Sequence, residues 1–243
     1  FLDFFLDFFL DFFLDFPLDF FLDFPLDFPL DFLFFFIPSA VAKYSLTVII
    51  GLLIVIFLVY PLILRIFTKM KYKDFFKGIM PAQMLAFSTS SSAATLPVTM
   101  ERCEDHLGVS EEVSSFVLPL GATINMDGTS LYQAVAAVFI GQAFGYSLGL
   151  TDQLTIVLTA TLASIGAAAV PGAGMIMLII VLGSIPTLPS DIIAPGLALI
   201  FGVDRILDMM RTVVNVTGDA TVATVVASTE GQLREVTEEE LMS

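Results

Sequence analysis

The stretch Asp204 to Asp219, DRILDMMRTVVNVTGD, lies inside a run that is otherwise apolar from Ile192 to Ala227. As a helix at about 100° per residue, it places Asp204, Asp208, Arg211, Asn215 and Asp219 within roughly an 80° arc, with Thr212 on its edge. The other faces carry Ile206, Leu207, Met209, Val213, Val214 and Val216. Each ionisable group at the centre of a membrane helix costs about 2.5–3.5 kcal/mol on insertion scales, so such groups mark a substrate or ion path. A salt-bridged stripe that only ties helices together is the plainer alternative.

The membrane setting follows from composition. Of 243 residues, 57% are hydrophobic and 14% charged, against about 25% charged in a soluble domain. The chain reads as an all-α membrane protein. Its net charge of −15 misleads, because the first 32 residues hold eight of the 25 acidic groups. The remaining balance offers no basic face for nucleic acid. The lone Cys103 excludes an internal disulfide. An acidic start with no basic n-region predicts no secretory signal.

Residues 1–32 repeat FLDF, with Pro17, Pro25 and Pro29 replacing phenylalanine. An aspartate every fourth residue spirals around a helix, and the prolines oppose both helix and central strand. The repeat reads as low-complexity sequence without a role. Residues 33–67 form the first membrane-length helix, kinked near its end by Pro61. Arg65, Lys69, Lys71, Lys73 and Lys77 follow, half of the ten basic residues. The positive-inside rule makes 65–77 cytoplasmic.

Residues 74–108 read as a re-entrant hairpin with the tip SSSAATLP (90–97), in which Pro97 restarts the helix. Ser110 is the expected N-cap of a membrane helix over 110–145, and NMDGT (125–129) interrupts that helix with weak helix formers. An unwound turn there would offer carbonyls and Asp127 to a cation. Residues 151–185 form a second hairpin around SIGAAAVPGAG (164–174). A final helix spans 190–229, ahead of an acidic tail at 232–243. The halves repeat: SSSAATLP stands against SIGAAAVP, and NMDGT against NVTGD at 215–219. The pattern predicts an inverted repeat, with two re-entrant hairpins and two interrupted helices around a midplane site.

These four segments, in this order, resemble the sodium-coupled glutamate/aspartate transporters, the dicarboxylate/amino acid:cation symporters. The resemblance runs from about Ser45 to Gly231 and covers the C-terminal half of that family, its transport-domain core. It implies sodium-coupled symport of acidic amino acids, with sodium as coupling ion and no other cofactor. Arg211 would pair with the substrate side-chain carboxylate through its bidentate fork. Asp208 and Thr212 would take the ammonium. Asn215 and the backbone at Ser92 would hold the α-carboxylate, while Thr129, Val170 and Gly174 line the pocket.

For sodium, the resemblance implies one site from Asp219 with carbonyls of Gly121, Asn125 and Asn215. Asp127 with the Asn125 side chain would form part of a second. Carbonyls of Thr123, Ser164, Ile165 and Ala167 would form a third, beside Met126. The family's scaffold helices are not recognisable, so the chain reads as a truncated transport domain that does not transport alone. Intact relatives would be homotrimers in the lipid bilayer of the plasma or inner membrane, with the C-terminus cytoplasmic. Second arginines found in many relatives at the Ser90 or Met209 positions are absent.

A C4-dicarboxylate symporter is the nearest alternative, but Asp208 beside Arg211 favours a substrate with an ammonium. An intramembrane aspartyl protease built on Asp127 and Asp219 is a further one. It suffers because Arg211 opposes the shared proton that such a dyad needs. A hydrolase using His106, expected to be solvated in a charged loop, is weaker still.

Overall fold

A computed structural model describes residues 30–236; the FLDF repeat through residue 29 and residues 237–243 of the acidic tail lie outside them. The chain divides into two compact units at Ser39 and Ala40. Of the first, the backbone of residues 30–38 and the exposed Ser39 are described, as the start of helix α1. The account below concerns the second.

Among the described residues the regular elements are helices, joined by turns and loops, with one isolated antiparallel bridge between Val109 and Leu233. Helix α1 (Leu30–Ile54) passes through a π-helical turn (Val55–Val59) into α2 (Tyr60–Phe67). Pro61 supplies the cause: without an N–H it cannot bond the carbonyl four residues back, and the wider turn absorbs the mismatch. The expected kink is therefore a π turn. Ser39–Phe67, 29 residues, is the one helix among the described residues that is long and apolar enough to cross a membrane.

Helices α3 (Tyr72–Thr89) and α4 (Ser92–Glu101) form the first hairpin. They meet at Ser90, which turns the chain with φ 53°. The Ser91 hydroxyl caps α4 by accepting from the Ala94 N–H at 3.1 Å. Pro97 therefore sits inside α4 and does not start it. A second π turn, Arg102–His106, ends the hairpin. His106 is buried there, not solvated as expected. Ser110 caps α5 (Glu111–Ile124), accepting from the Val113 N–H at 3.3 Å.

Asn125 and Met126 break the next helix, with φ/ψ of −85°/82° and −113°/49°. Helix α6 (Asp127–Ala143) resumes immediately. The second hairpin comprises α7 (Leu150–Ile165), a non-helical tip and α8 (Ala173–Ser184). After a 3-10 turn at Ser190–Ile192, α9 runs from Ile193 to Thr229.

One expectation fails here. NVTGD does not interrupt α9, which stays helical over 37 residues. The hydroxyls of Thr212, Thr217, Thr221 and Thr224 each donate to the carbonyl four residues earlier at 2.6–2.8 Å, so they need no unwound backbone. Asn215 finds its partners on α6 instead.

Helix α9 is the axis of the unit: it packs against α2, α3, α4, α5, α6 and α8. Close approach is possible because Ala220, Ala223 and Ala227 present only methyls to Leu64, Phe75, Ile79, Leu107 and Leu118. The Ser228 hydroxyl donates to the Phe67 carbonyl at 3.0 Å, which sets the end of α9 beside the end of α2. The chain then folds back on the base of hairpin one: the Ser110 N–H donates to the Gln232 carbonyl at 3.2 Å and the Arg234 N–H to the Gly108 carbonyl at 2.9 Å. Much apolar surface stays uncovered, including Met84 (67% exposed), Phe116 (71%) and Phe201 (71%).

Candidate functional site

The two hairpin tips meet. The Ser91 hydroxyl donates to the Ala169 carbonyl at 2.7 Å, and the Ala93 N–H reaches the same oxygen at 3.5 Å. The open end of hairpin one lies at the C-terminal end of α9, where Arg234 donates to the Asp105 carbonyl at 2.9 Å. The open end of hairpin two lies at the N-terminal end of α9, with Gly183 against Ile193. The open ends of the hairpins thus lie at opposite ends of α9, and the tip of hairpin two touches its polar stripe where the Gly172 N–H donates to Asp208.

Arg211 anchors that stripe at 1% exposure. Its guanidinium pairs with Asp208 Oδ1 at 2.8 Å and with Asp204 Oδ1 at 3.4 Å. It also lies 4.0 Å from the centroid of the Tyr132 ring. Gly174 leaves it room: a Cβ there would stand 2.9 Å from Arg211 Cζ. Isolated, such a charge would be prohibitive to bury; two carboxylates and an aromatic face offset the cost. Asp208 is itself tied to hairpin two, accepting from the Gly172 N–H at 2.8 Å. Gly172 adopts φ 79°, which favours glycine over any residue with a Cβ.

One turn on, Asn215 stitches α9 to the break in the α5–α6 pair. Its Oδ1 accepts from the Gly128 N–H at 2.8 Å, and its Nδ2 donates to Thr129 Oγ1 at 3.1 Å and to Met126 Sδ at 3.3 Å. Gly128 permits this contact, since a Cβ there would stand 2.5 Å from the Arg211 carbonyl oxygen. A further turn along, Asp219 Oδ1 accepts from Asn125 Nδ2 at 3.0 Å. Gly121 faces the same carboxylate, and an added Cβ would stand 2.7 Å from Oδ1. Asp127 lies on the exposed side of the break, and its Oδ2 accepts from the Tyr60 hydroxyl at 3.0 Å.

Expected residues therefore gather in three places. Arg211, Asp208 and Gly174 form one set, with Thr212 bonded to the Asp208 carbonyl. Asn215 with Thr129 forms the second, and Asp219 with Asn125 and Gly121 the third. Ser92 is buried at the start of α4, close to the tip contact. Val170 is 54% exposed on the tip of hairpin two. Thr123 is exposed, its hydroxyl bonded to the Leu120 carbonyl at 2.9 Å. Ser164 and Ala167 are buried at the end of α7, where the Ala167 N–H donates to the Ser164 carbonyl, while Ile165 is exposed.

Three contributors escaped the sequence reading. Tyr132 follows Thr129 by three residues, a helical spacing that could have placed both on one face. Gly172 sits in a tip already singled out as small, but its N–H partner is distant in sequence. Tyr60 gave no signal within its apolar run.

The arrangement offers one guanidinium, carboxylates, amides, hydroxyls and backbone N–H groups within a protein interior. It suits a small solute that carries both charge signs. The family model of the sodium:dicarboxylate symporter family matches residues 37–229. The chain belongs to that family, whose members are membrane transporters and not enzymes.

Particular relatives sharpen the placement. Excitatory amino acid transporter 2 of Mus musculus is 49% identical over 177 residues, 73% of this chain and 30% of the relative. Excitatory amino acid transporter 1 of Homo sapiens is 47% identical over 184 residues, 76% and 33%. A putative sodium-dependent excitatory amino acid transporter, glt-4 of Caenorhabditis elegans, is 48% identical over 183 residues, 75% and 36%. The chain spans about a third of the length of these curated relatives.

Proposed function

We propose that this chain supplies the substrate- and ion-binding half of a sodium-coupled symporter for acidic amino acids. The observation that carries the reading is Arg211, buried, held by two carboxylates and packed against Gly174 of hairpin two. Without substrate, Asp208 and Asp204 neutralise the guanidinium. An aspartate or glutamate brings its own carboxylate to Arg211 and its own ammonium to Asp208. The exchange conserves charge pairing throughout and so avoids leaving an unpaired buried ion. A dicarboxylate lacks the ammonium and would strand Asp208, which favours an amino acid over a C4-dicarboxylate.

In this reading Thr212 assists at the ammonium, and Asn215 with the backbone at Ser92 holds the α-carboxylate. Thr129, Val170 and Gly174 shape the pocket. Coupling sodium ions occupy the oxygen-rich positions beside Asp219, with Gly121, Asn125 and Asn215, and beside Asp127. A third lies among Thr123, Ser164, Ile165 and Ala167. Occupancy of these sites neutralises the carboxylates and so favours binding of a substrate that carries net negative charge.

Both hairpins are re-entrant and reach the midplane from opposite sides. The basic cluster 65–77, the base of hairpin one and the end of α9 share the cytoplasmic side, a grouping supported by the Ser228–Phe67 bond. The exposed apolar faces meet lipid and, in a homotrimer, scaffold helices. The test is uptake of radiolabelled aspartate by proteoliposomes holding the full-length protein, with sodium or choline outside. Sodium-dependent accumulation, competed by glutamate and not by succinate, is expected; succinate uptake without aspartate uptake would reverse the substrate assignment.

A further inference from the structure

Tyr60 belongs to the long apolar helix and to none of the sets above, yet its hydroxyl is buried at the break beside α9. The residue is 2% exposed. Its Oη lies 3.0 Å from Asp127 Oδ2 on α6 and 3.1 Å from the Val214 carbonyl oxygen on α9. The hydroxyl has one proton and faces two acceptors. It can donate to only one of them fully at a time, so three oxygens converge around a single hydrogen.

The surroundings hold that hydroxyl in place. It lies over Gly218, where a Cβ would stand 2.6 Å from Oη and 2.6 Å from Asn125 Nδ2. The bare backbone of Gly218 thus lets Tyr60 and Asn125 sit side by side. Asn125 in turn holds Asp219. The Tyr60–Asp127 pair and the Asn125–Asp219 pair therefore both border Gly218, and they hold the two carboxylates assigned to different cation positions.

We propose that Tyr60 is an ion-responsive positioning residue. With Asp127 free, its hydroxyl donates to the carboxylate. With a monovalent cation on Asp127, the hydroxyl turns to the Val214 carbonyl and presents a lone pair towards the ion. No bond is made or broken except hydrogen bonds, and the proton stays on the phenol. The turn couples cation binding at α6 to the backbone of α9, one residue from Asn215, and to the helix α2. The inference rests on the sodium-symport reading for its choice of ion.

The test is Tyr60→Phe in the full-length protein, which removes the hydroxyl and keeps the ring. Calorimetric aspartate binding is measured across a sodium series with choline as replacement. The sodium half-saturation should rise at least about fivefold, because the bound ion loses the hydroxyl lone pair as a partner and this outweighs the hydrogen bond that the free carboxylate loses. Aspartate affinity at saturating sodium should stay within about twofold. In the Asp127→Asn background the same substitution should add nothing further. An unchanged sodium half-saturation, or an equal effect with and without Asp127, overturns the proposal.

A measurement on the wild type guards against a variant that fails to fold. Infrared difference spectra, sodium minus choline, with ring-deuterated tyrosine should show a shifted tyrosine C–O band; its absence also overturns the proposal. Aspartate binding that ignores sodium in the wild type would instead refute the symport reading, a separate outcome.

Discussion

Arg211 and Tyr132 form a buried stack, with the guanidinium carbon 4.0 Å from the ring centroid, although they lie on different helices. In the proposed exchange of carboxylate partners, the ring would help to stabilise the desolvated cation. Tyr132→Leu should weaken aspartate binding by about 1–2 kcal/mol, the range of a desolvated cation–π contact. Tyr132→Phe should lose much less, since the face of the ring remains. Calorimetry on both variants checks this; equal losses would assign the effect to the hydroxyl.

On the proposed reading, replacing Arg211 by Cys removes the carboxylate partner of the substrate and leaves space for a neutral side chain. Competition uptake should shift from aspartate and glutamate towards serine or alanine. Because two carboxylates then lose their counter-ion, a stability loss of about 3–5 kcal/mol should accompany the change. Thermal unfolding in detergent measures that part, and retained aspartate affinity would sink the substrate assignment.

Asp219 accepts from Asn125 and faces the bare Gly121, leaving no room for a larger residue. Asp219→Asn keeps the size and removes the charge. The sodium dependence of substrate binding should weaken by at least about 1.4 kcal/mol, a tenfold change. Wild-type sodium dependence in this variant would move the cation site elsewhere.

Gly108 adopts φ 77° where the returning segment crosses the base of hairpin one. A Cβ there would collide with the Arg234 carbonyl. Gly108→Ala should therefore cost at least about 1–2 kcal/mol through the left-handed conformation alone. Limited proteolysis should cut sooner after Gly231 in the variant than in the wild type. Identical cleavage rates would mean that the Val109–Leu233 bridge does not hold the segment.

Much of this fold was legible in the residues. Ser110 as a cap, the small tips at 90–97 and 164–174, the break at Asn125 and the arc on α9 all follow from local rules of propensity, capping and periodicity. These rules act within a turn or two of chain, where sequence spacing and spatial distance agree. The same local reasoning misplaced Pro97 as a helix start and broke α9 at NVTGD. Ser91 already capped α4, and the polar groups of NVTGD were satisfied without unwinding.

What only the tertiary structure decided are the contacts between distant segments: Arg211 on Tyr132, Asn215 on Gly128, Tyr60 between Asp127 and Val214. The sequence alone determined which residues would need partners, because an apolar chain cannot leave a guanidinium or carboxylate unpaired. It could not determine which partner each would find. That choice depends on where Gly121, Gly128, Gly174 and Gly218 let helices approach closely, a property of their packing in three dimensions.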